Sequence, residues 1–223
     1  MELAAEGDDS TAARLLDAAE RIFATKGIEA ASVRAITQAA GANIAAVHYH
    51  FGSKLDLVRA LVERRVSDMT AARRPLLDAA LAQDEVTPRD VAEAWVRPLA
   101  ALAFGDGGAR RTYLSFLVVL QAASPELRSL ANDVFHPQYE RFAALLERAL
   151  PDVAEPVRWF RFIAAVDVTI RALANPERST EPWASRGGIT DDELVEHVID
   201  LATAILAGPT DHSSSNEPRR HAR

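Results

Sequence analysis

Residues 32–54 read SVRAITQAAGANIAAVHYHFGSK. Val33, Ile36 and Ala40 recur at spacings of three and four, the period of one helix face. Ser32 stands where an N-cap belongs, and Gly41 ends the run. Asn43 then caps a second short helix whose inward residues are Val47 and Phe51. Gly52 ends that helix, and Ser53 caps the next. Two short helices across a Gly-Ala-Asn turn make a helix-turn-helix. The second helix of such a pair fits a major groove about 12 Å wide. Its outward positions are Ile44, Ala45, Ala46, His48, Tyr49 and His50. Small side chains at 45 and 46 permit close approach to base edges. His48 and Tyr49 can donate to bases or phosphates. Lys54 adds a cation to the free N–H groups of a helix start, a natural phosphate site.

Outward from this block the pattern stays helical. Leu15, Ala19, Ile22 and Phe23 share a face upstream, with Ser10 or Thr11 as the cap and Gly27 past the end. Downstream, a long helix from Lys54 to about Gln83 is expected to be broken or kinked near Pro75. Helices follow over 88–104, 109–122, 125–150 (interrupted by Pro137), 155–174 and 191–207. The helix over 155–174 is apolar almost all round, so it should be buried on several sides. Pro176, Pro182, Gly187 and Gly188 mark a loop over 175–188. No run reads as a strand and no repeat is present. The expected fold is all-α with about nine helices. Residues 1–9 are a disordered acidic N-terminus, 10–53 the helix-turn-helix unit, 54–207 a ligand-binding and dimerisation body, and 208–223 a disordered polar tail.

Composition bounds the chemistry. The 223 residues carry a net charge of −7 and no cysteine, which excludes disulfide scaffolds, thiolate metal sites and cysteine nucleophiles. The charge is unevenly spread. Residues 10–66 hold eight Lys/Arg against five acids, while residues 1–9 hold four acids and no base. A basic segment joined to an acidic body points to a nucleic-acid-facing module. No segment approaches the roughly 18 apolar residues of a membrane span. The acidic start lacks the basic end of a signal peptide, so the expected location is cytoplasmic.

The block AGANIAAVHYHFGSKLDLV resembles the DNA-binding signature of TetR/AcrR-family transcriptional regulators, and LLDAAERIFATKGIEAASVRAITQAAG is similar to that family's first two helices. The resemblance covers residues 11 to about 60. The family typically has nine helices, works as a dimer and places an effector cavity in its helical body. Two positions depart from the usual pattern: His48 stands where Tyr or Asn is common, and Asn43 where Ser/Thr is usual. Asn caps as well as Ser, so the fold is unaffected. SPELRSLANDVFHPQYERFAALLERALP and WFRFIAA resemble the fatty-acid-responsive subgroup. The resemblance implies Ser32 and Arg34 at the DNA backbone, Asn43, Ile44, Ala45, Ala46, His48 and His50 at the groove, and Tyr49 and Lys54 on phosphates. It implies a homodimer through the last two helices, a near-palindromic double-stranded operator and release by a small, lipophilic effector.

Within the body, Trp95, Tyr113, Phe116, Gln121, Phe135, Tyr139, Phe142 and Phe162 form aromatic and polar stripes. Each suits ordinary core; together they suit an apolar cavity with few polar groups. Asp167 and Arg171 lie one turn apart and read either as an ion pair or as polar anchors of that cavity. Arg64, Arg65, Arg73 and Arg74 read as a solvated face, with distal phosphate contact the lesser alternative, and Arg110 and Arg111 as a solvated face or loop contact, with a nearby carboxylate ligand the alternative. His48 and His50, two apart on a helix, point in nearly opposite directions and cannot share a metal. No cofactor or metal is expected. No Gly-rich phosphate loop, Walker pattern or Ser-His-Asp order is present, so the chain is not expected to be an enzyme. The competing reading is a helical hydrophobic-ligand carrier, which has no need of the capped pair over 32–54.

Overall fold

The computed structural model describes residues 2–105, 111–177 and 188–209, with side chains from Ser10 onward. The architecture is all-α, with ten helices and no strand among the described residues. They are α1 (Glu2–Lys26), α2 (Val33–Ala39), α3 (Ile44–His50), α4 (Lys54–Leu81), α5 (Pro88–Phe104), α6 (Arg111–Gln121), α7 (Pro125–Glu140), α8 (Ala143–Ala149), α9 (Glu155–Ala174) and α10 (Asp191–Ala207).

Three boundaries differ from the sequence reading. First, α1 begins at Glu2 rather than after a cap at Ser10 or Thr11. An acid-rich, proline-free stretch suits the positive end of a helix, so the chain winds earlier. Second, the helix expected over 125–150 is two helices. It parts around Arg141 and Phe142, where Phe142 N–H bonds to the Tyr139 carbonyl, while Pro137 lies inside α7. Third, α4 runs through Pro75 to Leu81. The exposed acceptors at its end are met from outside: the Arg148 guanidinium donates to the carbonyls of Leu81, Gln83 and Asp84. The expected loop over 175–188 and tail over 208–223, with Arg110, fall mostly or wholly outside the described residues.

The N-terminal unit packs α1 across α2 and α3, with Leu15, Ala19, Phe23, Ile36 and Val47 buried. Arg14 Nε donates to the Ala40 carbonyl at 3.2 Å, holding α1 against the end of α2. In α4, Leu57, Val58, Leu61 and Val62 are fully buried, each contributing about 1.5–3 kcal/mol of burial. The helix then continues into the body, where it packs on α5 and α7. Glu20 of α1 is 4% exposed and is held by Arg65 of α4 through Nε at 2.9 Å and Nη2 at 2.7 Å. Arg65 is therefore a structural partner of the N-terminal unit and not a solvated charge. Phe23 also stacks on Phe116 of α6 at 6.1 Å, so α1 is tied to the body by both an ion pair and an aromatic pair.

At the far end, α10 packs against α5 and α9. Arg89 of α5 reaches Glu196 and Asp200 of α10, each at 2.7 Å. Arg161 of α9 donates to the carbonyls of Leu206 and Ala207, closing the C-terminus of α10. Gly208 follows at φ +67, and its Cα lies against that guanidinium, so a Cβ there would collide with it.

Candidate nucleic-acid interface and ligand cavity

Three side-chain caps set the helix-turn-helix. Ser32 Oγ accepts from Ala35 N–H at 3.1 Å, Asn43 Oδ1 from Ala46 N–H at 2.9 Å, and Ser53 Oγ from Asp56 N–H at 3.1 Å. Gly41 sits at φ +61 in the turn between α2 and α3, a conformation that side chains disfavour. Val47 anchors α3 to the core at 1% exposure. What remains outward is Ser32, Arg34, Asn43, Ile44, Ala45, His48 and Tyr49, all exposed, with Tyr49 at 76%. Ala46 and His50 differ from the outward reading. Ala46 is half-buried against the core, because α3 leans on α1 and α2 on that side. His50 is half-buried between Tyr49 and Phe51, with ring centroids 5.0 and 6.0 Å away.

Two contacts link this face to its surroundings. His48 Nδ1 donates to the Gly52 carbonyl at 2.8 Å. Lys54 Nζ donates to the Glu29 carbonyl at 3.1 Å. Partial burial lowers the Lys54 pKa, and Glu29 opposes that shift. An ammonium has three donors, so one bond to a carbonyl leaves two for another acceptor. The result is a short, capped helix presenting small side chains, two rings and a helix start beside it.

In the body, a cavity of about 280 Å³ lies between α4, α5, α6, α7 and α9. Of the residues singled out from sequence, Trp95, Tyr113, Gln121, Phe135, Tyr139 and Asp167 line it. Phe116, Phe142, Phe162 and Arg171 do not. Phe116 is spent on Phe23, while Phe142 and Phe162 pack together at 4.8 Å behind Trp95. Arg171 is exposed. Asp167 takes Gln121 Nε2 at 2.7 Å as its partner, and among the described residues no ion pair joins it to Arg171. Desolvation raises the Asp167 pKa, and the Arg171 charge pulls it back.

Sequence reasoning missed Arg73. It projects from α4 into the cavity and is 4% exposed. Its guanidinium carbon lies 3.8 Å from the centroid of the Trp95 ring. Burial pulls its pKa down from 12.5 to about 10, against the pull of Tyr113 and Tyr139. The same burial pushes Tyr139 up to about 12 and Tyr113 higher still. The available signal was its register: Val66, Met69, Arg73, Leu77 and Ala80 make one buried stripe. Among the described residues, three buried polar atoms on this cavity have no hydrogen-bond partner: Arg73 Nε, Trp95 Nε1 and Gln121 Oε1. Among the described residues, no group of three or more His, Asp or Glu could hold a metal, and no helix is long and apolar enough to cross a membrane.

Comparison with known proteins places both units. Residues 15–61 match the family described as bacterial regulatory proteins, tetR family. Residues 93–208 match the tetracyclin repressor-like C-terminal domain. The chain belongs to the TetR family. It is 31% identical over 83 residues to the HTH-type transcriptional regulator TtgR of Pseudomonas putida, a match that covers 37% of this chain and 38% of that protein. Among solved structures it resembles the transcriptional regulator FadR of Bacillus subtilis in complex with stearoyl-CoA. That likeness has TM-score 0.63 and 14% identity, over 86% of this chain and 97% of the other. It also resembles NalD of Pseudomonas aeruginosa, the secondary repressor of the MexAB-OprM multidrug efflux pump, with TM-score 0.59 and 20% identity over 88% and 95% of the two chains. At these identities the likeness is one of fold.

Proposed function

We propose that this TetR-family protein is a ligand-responsive repressor, acting in the cytoplasm as a homodimer on a near-palindromic operator. The observation that carries the reading is the capped α2–α3 pair, which leaves Arg34, Ile44, Ala45, His48 and Tyr49 exposed. Ile44, Ala45 and His48 serve the groove with Asn43 at the helix start, while the half-buried Ala46 and His50 are not assigned to it. Ser32, Arg34, Tyr49 and Lys54 serve the backbone, where contacts position the protein without reading sequence.

An unpartnered apolar face supports the dimer. Val157, Phe160 and Val168 are exposed on α9 at spacings of three and eight, with Leu201 exposed on α10, and Phe160 is 74% exposed. A self-complementary patch of this kind closes as a twofold interface. Two copies of α3 then meet half-sites about one helical turn apart.

Release is a population shift. A small lipophilic effector binds the body better in the conformer whose two α3 helices miss the half-site spacing. The transmission element is α4, which carries Lys54 at one end and Arg73 in the cavity, about 28 Å apart at 1.5 Å per residue. Tyr113 adds a second link, because its ring lies 5.7 Å from the Arg65 guanidinium that holds Glu20 of α1.

Fluorescence anisotropy on DNA from upstream of its own gene, at two salt concentrations and against scrambled DNA, tests the reading. Saturable, salt-weakened binding that scrambled DNA does not share is the expected result. Equal, weak binding to every fragment, with a small molecule still held by the protein, would replace it with a carrier.

A further inference from the structure

The TetR-family body leaves one cation in a place where cations are costly. Arg73 is buried, and among the described residues its guanidinium makes no hydrogen bond or ion pair. The Trp95 face 3.8 Å away offers attraction without neutralising the charge. A buried charge is normally paired, because removing it from water costs more than a ring face returns. Trp95 Nε1 is a second donor on the same cavity without an acceptor among the described residues. Among the described residues, the other charged side chains on the lining are Arg128, which is exposed and bonded to the Ala123 carbonyl, and Asp167, held by Gln121. Two donors without an acceptor, facing a chamber lined by Leu99, Leu117 and Val166, describe the complement of an anionic head on an apolar skeleton.

We propose that the cavity takes an apolar monocarboxylic acid of about a dozen heavy atoms, its carboxylate set against the Arg73 guanidinium. The planar fork of one guanidinium matches one carboxylate. A phosphate dianion would call for a second buried cation, and Arg128, the other cation on the lining among the described residues, is exposed. The size follows from the volume: a dry cavity of about 150 Å³ holds benzene, so about 280 Å³ holds roughly twice as many heavy atoms. This inference rests on the effector-release reading for its consequence, since a carboxylate that neutralises Arg73 acts on α4, but its binding chemistry stands apart from it.

The test is isothermal titration calorimetry of the full chain with two matched pairs, decanoate against 1-decanol and 4-phenylbutyrate against 4-phenylbutan-1-ol. The expected result is that each acid binds at least about tenfold tighter than its alcohol, a difference of about 1.4 kcal/mol. Arg73→Met should erase that preference while the alcohols still bind, and Arg73→Lys should keep part of it. Alcohols that bind as tightly as their acids, or no binding by either acid, would overturn the proposal; the wild-type comparison stands even where a variant fails to fold. Operator release is read separately by anisotropy. Acids that bind without releasing DNA leave the carboxylate site standing and sink the release mechanism. Alcohols that bind and release DNA as well as the acids do the reverse.

Discussion

Replacing Arg73 with methionine should make the ligand-free protein more stable. Burial lowers the guanidinium pKa from 12.5 to about 10, which corresponds to about 3 kcal/mol against the charged form in the folded chain. The Trp95 face returns about 1–2 kcal/mol of that as a cation–π contact. Methionine keeps the unbranched stem and a sulfur–aromatic contact with Trp95, at no charge cost. The net expectation is a gain of about 1–2 kcal/mol, or about 3–6 °C in Tm for a chain of this size. The folded-state pKa is the lower one, so folding releases no proton until pH approaches about 10. The penalty is thus fully present below that value and fades only above it. The gap between wild type and Arg73→Met should therefore be flat from about pH 6 to 9. Thermal unfolding followed by circular dichroism, in a buffer free of carboxylates, gives the answer. A variant that melts several degrees lower than wild type would refute the reasoning, because it would mean that the guanidinium is already paired.

Asn43→Ala removes the side-chain cap of α3 and should cost about 1 kcal/mol in denaturant unfolding, with a parallel loss of operator affinity. Glu20→Gln leaves Arg65 half-paired inside the α1–α4 seam and should cost about 3 kcal/mol, read as a lower urea midpoint at unchanged slope. Phe160→Glu puts a charge on the exposed α9 face; sedimentation should show monomer where the parent chain sediments as a dimer, and an unchanged dimer would move the interface elsewhere.

The N-terminal unit was legible because its determinants are local. Ser32, Asn43 and Ser53 each bond a backbone N–H three residues on, and Gly41 marks a turn whose φ only glycine adopts freely. Such signals need no knowledge of the partner helix. The cavity was only half legible. Periodicity tells that Trp95, Tyr113, Phe116 and Phe142 are buried, but a filled core and a hollow one leave the same stripe in the sequence. Phe116 went to Phe23 of α1, a partner 93 positions away. Arg73 was misread because Arg64, Arg65 and Arg74 stand close to it on α4, and residue type outweighed register. Its apolar neighbours at 66, 69, 77 and 80 carried the information. The helix break at 141–142 escaped because Pro137 looks like the stronger breaker.

The hydrogen bond between His48 and Gly52 has a consequence for what this protein can read. A carbonyl oxygen only accepts, so Nδ1 carries the proton of this bond, and in the neutral tautomer Nε2 is left as an acceptor. In the major groove that atom matches an exocyclic amine, on cytosine N4 or adenine N6, and meets only like acceptors at the N7 and O6 of guanine. If His48 faces the groove as proposed, the tautomer set by the Gly52 carbonyl would favour an amine opposite it in each half-site. Placing guanine at that point of the operator, and measuring anisotropy at pH 8, should cost affinity that the same change elsewhere in the non-contacted flank does not.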